Sequence, residues 1–64
     1  MISKLTPVKL ARLESGFSQS DVAKATGIAQ TVISLYEREL KEPSEEHKKT
    51  LAKLYNKRLE DLWK

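Results

Sequence analysis

The sequence predicts an all-α fold, a compact bundle of four to five short helices. Three observations predict it. Apolar residues recur at helical spacing, and no stretch alternates apolar with polar as a half-buried strand does. Capping signals punctuate the chain: Thr6-Pro7, Ser18 with Asp21, and Ser44 with Glu45 and Glu46 open helices, whereas Gly16, Gly27 and Asn56 close them. The 64 residues, 39% of them hydrophobic, allow only a modest core, which helices with local contacts build most economically.

The elements follow in order. Helices are expected at about 7–15, 18–26, 30–38, 44–55 and 58–63, within a single domain over residues 1–64. Thr6 caps the first helix, and Pro7 stands at its first position, where a missing N–H costs nothing. Val8, Ala11 and Leu13 are expected on its core face. Leu5 and Leu10 sit at staple spacing around the cap; the other reading of Leu10 is contact with a partner. The second helix opens at Ser18, with Asp21 facing the free amides of its first turn and Phe17 and Val22 at staple spacing.

Gly27 ends that helix where positive φ is needed. The third helix turns Ile33 and Tyr36 inward and leaves Gln30, Thr31, Ser34 and Leu35 on its other face. Ala23 falls where these two helices approach closely. Two short helices joined by a glycine turn are the helix-turn-helix signature. Pro43 stops helix formation at Glu42. Ser44 caps a fourth helix that buries Leu51, Ala52, Leu54 and Tyr55, and Glu45 and Glu46 suit its first turn through the helix dipole. Arg58 to Trp63 reads as a short fifth helix that packs Leu59 and Leu62 on the core.

Taken in order, Ser18-Gln19, Val22-Ala23, Gly27-Ile28, Ile33-Ser34, Tyr36-Glu37-Arg38 and Glu42-Pro43-Ser44 carry a family resemblance. From about Val8 to Trp63 the chain resembles the phage repressor and Cro class of helix-turn-helix DNA-binding domains, the XRE-like type with a lambda-repressor-like fold. The resemblance implies a semi-buried ion pair between Arg12 and Glu37, tying the first helix to the third. It also implies that Ser18 and Gln19 face a backbone phosphate, with Gln19 bracing Gln30. Arg38 and Lys41 would hold a second phosphate run.

The chain departs from the family in the polar opening half of the fourth helix, residues 45–49, and at four single positions. Thr26 stands where an aliphatic residue is usual, which weakens the core. Ala29 stands at a cap usually held by Ser or Thr. Glu39 replaces a common glycine, and Leu40 a base.

Within the third helix, Gln30 and Thr31 lie in the first turn, which points deepest into a major groove. Gln30 can bond adenine in bidentate fashion, Thr31 offers a hydroxyl and a methyl, and Leu35 would touch a thymine methyl. Ser34 flanks them. The resemblance implies a cytoplasmic, bacterial or phage-encoded, nucleoid-associated transcription regulator of the repressor type. Its ligand would be double-stranded DNA with a palindromic operator, bound as a homodimer. Leu59, Leu62 and Trp63 are the candidate dimer seam; Trp63 could equally cap the core.

Net charge is +3, but it is unevenly placed. Residues 18–36 balance to zero, residues 37–47 carry two bases against five acids, and residues 48–64 carry six bases against two acids. An acidic 37–46 segment repels phosphate. The other function class that fits is therefore a protein-binding module, modulating a repressor or acting as an antitoxin, with Leu10, Leu35 and Leu40 as contact surface.

Catalysis finds no support. His47 is read as a solvated residue in a charged stretch, and no nucleophile or second ligand stands near it in sequence. There is no cysteine, so disulfides and thiolate metal sites are excluded. Apolar runs are too short to span a membrane, and residues 1–9 lack the apolar core of an export signal. No cofactor and no metal are implied.

Overall fold

The computed structural model describes residues 5–63. It contains α1 (Pro7–Glu14), α2 (Gln19–Thr26), α3 (Gln30–Glu37), α4 (Glu45–Tyr55) and α5 (Leu59–Leu62). The described residues form no strand. The five helices lie within the expected ranges, which extend over the flanking caps Ser15, Ser18, Arg38, Ser44, Arg58 and Trp63. Residues 1–4 and 64 of the expected single domain lie outside the described residues.

Side-chain caps explain the starts of α1, α2 and α4. The Thr6 hydroxyl accepts from the Lys9 amide at 3.4 Å. The Ser18 hydroxyl accepts from the Asp21 amide at 3.0 Å, while the Asp21 carboxylate accepts from the Ser18 amide at 2.9 Å. This reciprocal pair holds the Asp21 carboxyl below the usual aspartate range, first through the Ser18 backbone and then through its hydroxyl. The Ser44 hydroxyl accepts from the His47 amide at 3.2 Å. By contrast, Ala29 begins α3 with no side-chain cap.

The helices before α5 end on or beside left-handed residues. Gly27 has φ of +78° and its amide reaches the Ala23 carbonyl. Glu39 and Asn56 adopt φ of +60° and +57°. Behind Glu39, the Leu40 amide bonds the Leu35 carbonyl and the Glu39 amide bonds the Tyr36 carbonyl, the paired bonds of a Schellman end. That is why glycine suits this position, and Glu39 holds it against an αL cost of about 1–2 kcal/mol.

The core lies between all five helices: Val8 and Ala11 of α1, Val22 of α2, Ile33 and Tyr36 of α3, Leu51, Ala52 and Tyr55 of α4, Leu62 of α5, and Ile28 from the turn. Phe17, Ala23, Leu54, Leu59 and Trp63 pack partly buried against it. Leu13 does not join them and is 50% exposed. Five residues beyond Val8, it lies about 140° round the helix, and the inward place at that level belongs to Arg12. Leu5 and Leu10 are also exposed.

Thr26 is half-buried, and its hydroxyl is engaged as both donor and acceptor. It donates to the Val22 carbonyl at 2.7 Å and accepts from the Ile28 amide at 3.2 Å. The expected weakening is thus offset by a brace across the Gly27 corner.

Candidate nucleic-acid interface

The third helix is held from behind. Its inward residues Ile33, Tyr36 and Glu37 are buried. The carboxylate of Glu37, itself 2% exposed, accepts from Arg12 Nε at 2.6 Å and Nη2 at 3.2 Å. Arg12 Nη1 also donates to the Phe17 carbonyl at 2.8 Å. The pair expected between Arg12 and Glu37 is therefore present, buried and bidentate, the stronger geometry for a guanidinium and a carboxylate.

Two further props went unanticipated. The Thr6 hydroxyl, buried, donates to the Glu37 carbonyl at 2.7 Å. Tyr36 Oη lies 2.7 Å from His47 Nδ1, so His47 is a half-buried tie between α3 and α4 rather than a solvated residue. Burial raises the Tyr36 phenol above its ordinary pKa. Neither prop had a local signal, since each joins segments distant along the chain.

The opposite face of α3 is open. Gln30 and Thr31 are exposed in its first turn, while Ser34 and Leu35 are half-buried. Neither Gln30 nor Thr31 uses its side chain in a hydrogen bond among the described residues. A polar first turn with unengaged amide and hydroxyl groups can bond base edges.

At the start of α2, the Ser18 hydroxyl accepts from the Asp21 amide and stabilises the Asp21 carboxylate, so it is already engaged within the cap. Gln19 behaves differently from the expectation. Its Nε2 donates to Glu37 Oε1 at 3.1 Å rather than to Gln30. Arg38 and Lys41 are exposed, with no ion-pair partner among the described residues. Glu42, next to them, is met by Lys48 at 3.2 Å, which partly offsets its repulsion of phosphate. Leu40 is 65% exposed.

Behind this loop lies a shallow groove of about 260 Å³ between Val8, Tyr36, Pro43 and Trp63, with Glu39, Lys41, Glu42 and Lys48 also lining it. The residues suggested as a dimer seam are largely engaged at home. Leu62 is buried in its own core, and Leu59 and Trp63 are half-buried against it. Leu62 therefore drops out of the seam, and only the partly exposed edges of Leu59 and Trp63 are open to a second copy.

The described residues contain no group of three or more His, Cys, Asp or Glu placed to hold a metal ion. None of their helices is long and apolar enough to cross a membrane. A helix-turn-helix family model matches residues 8–62, most of the chain. No curated protein and no solved structure matches it.

Proposed function

The chain belongs to the Cro/C1-type helix-turn-helix family of DNA-binding regulators, and on that premise we propose that it is a sequence-specific transcription regulator that reads the major groove with α3. The observation that carries this reading is the contrast between the two faces of α3. One is locked by Glu37, Tyr36 and Ile33, and the other offers Gln30 and Thr31 with their side chains unengaged. Rigid support behind and unpaired polar groups in front are what base recognition needs.

In this reading Gln30 bonds adenine through its amide, Thr31 and Ser34 flank it, and Leu35 meets a thymine methyl. Ser18, Gln19, Arg38 and Lys41 hold phosphates. The protein acts as a repressor and binds as a two-fold dimer, with its recognition helices about 34 Å apart on a palindromic operator. Leu59 and Trp63 lie at the dimer contact.

Selection of bound duplexes from a random library at moderate salt tests this. A palindromic winner is the expected result, and no enrichment would overturn it. The exposed Leu40, beside the acidic 37–46 segment, favours a second reading, a protein-binding module that modulates a repressor or neutralises a toxin. Salt separates the two. DNA binding through about 6–10 phosphates falls by some 10³–10⁵ between 50 and 200 mM salt, and a flat response would favour the protein partner.

A further inference from the structure

Gln19 is the first residue of α2, and Glu37 is the last of α3. The Gln19–Glu37 hydrogen bond therefore joins the helix pair at the ends farthest from the Gly27 corner. At the corner, Thr26 and the buried Ile28 fix the geometry. At the open ends, no other side-chain hydrogen bond links α2 to α3 among the described residues.

The anchor is firm. Glu37 Oε1 accepts from Arg12 Nη2 as well as from Gln19, and Glu37 is 2% exposed. Gln19 is half-buried. A primary amide carries two N–H donors. One is on Glu37, and the second has no partner among the described residues.

We propose that Gln19 is a positioning residue that locks the phosphate-holding end of α2 to the base-reading helix, through Glu37. This rests on the DNA-binding reading above. Without the lock, α2 and α3 stay joined at the corner and gain play at their far ends. Eight residues of helix span about 12 Å, so a slip of about 1 Å at Glu37 tilts α3 by roughly 5° relative to the phosphate anchor. Gln30, close to the corner, moves least, and Leu35 and Arg38 move most.

The test starts from a duplex selected by the wild-type protein and measures discrimination base by base in Gln19→Met, which keeps the length of the side chain and removes its donors. Discrimination at the base facing Leu35 is expected to fall about tenfold, and that at the base facing Gln30 by less than about threefold. A plain phosphate contact would instead lower affinity uniformly across sequences. Uniform loss, or no loss, overturns the lock while leaving DNA recognition in place. Failure of the wild type to select any duplex overturns both.

A second measurement is independent of the variant's folding. In the complex, the two side-chain amide protons of Gln19 are expected to exchange slowly and at different rates. Two protons exchanging as freely as those of a solvated glutamine would overturn the proposal.

Discussion

Arg12 and Glu37 meet through two nitrogens and two oxygens, at 2.6 and 3.2 Å, with both residues buried. Their partners make the pair a junction. Arg12 reaches the Phe17 carbonyl ahead of α2, and Glu37 receives Gln19 and, at its carbonyl, Thr6. Three helices and the segment before α1 thus converge on one carboxylate-bearing residue.

Removing one side of a buried pair leaves the other charge uncompensated, at roughly 3–5 kcal/mol. Arg12→Ala is therefore expected to lower the melting temperature by about 15 °C or more for a domain of this size. Lys48→Ala is the control. Its partner Glu42 is mostly exposed, and surface pairs are worth up to about 1 kcal/mol. Thermal denaturation followed by circular dichroism checks both, and equal shifts would contradict a special role for Arg12.

Gln30→Ala addresses base recognition. A bidentate contact is worth about 1–3 kcal/mol of discrimination at one base pair. The variant is expected to relax preference at that position alone and keep the rest of the selected motif. An unchanged motif removes Gln30 from the contact set.

Glu39→Gly tests the left-handed turn after α3. Glycine removes the αL cost while adding unfolded-state entropy, for a net gain of about 1 kcal/mol. A rise of a few degrees in melting temperature is expected. The same change removes a negative charge from the loop, so affinity for a duplex should also rise. A fall in both quantities would contradict this account.

Tyr55 supplies a pH test. It is 3% exposed, and its hydroxyl has no hydrogen-bond partner among the described residues. Burial, with a smaller contribution from the Glu37 charge, carries the phenol up to about 12 against an ordinary 10.0. Below pH 10 both the folded and the unfolded chain keep the proton, and this group imposes no pH dependence. Between about 10 and 12 the unfolded chain releases it first, so folded stability falls as pH rises. Tyr55→Phe is expected to be at least as stable as wild type near neutrality, since it deletes an unpaired buried hydroxyl. Its advantage should widen above pH 10. Urea melts at pH 7, 9.5 and 11 check it, and a constant difference would show that the Tyr55 phenol does not titrate in this way.

Helix boundaries were legible because their causes are local. Ser18 with Asp21, Pro7 after Thr6, Gly27 and Asn56 each act within a few residues, and each behaves as its type dictates. The Arg12–Glu37 pair was legible only through family resemblance, since a charged residue on an inward face contradicts the apolar pattern. That same substitution of Arg12 into the core face is why Leu13 was misplaced. Thr6 to Glu37, Gln19 to Glu37 and Tyr36 to His47 were not legible, because they span 31, 18 and 11 residues and depend on how the helices pack. The Thr26 bond is of the local, legible kind. A threonine hydroxyl bonding the carbonyl four residues back is a local pattern of that residue.

Trp63 is the sole tryptophan of the chain, and it borders the same groove as Lys41, Pro43 and Lys48. The molecule therefore carries one intrinsic fluorophore beside the turn that follows α3. Excited alone, that indole gives a label-free optical readout of anything that settles on the turn. Because the chain also lacks cysteine, a single introduced thiol would accept a second dye at one chosen spot, and the pair would form a molecular ruler.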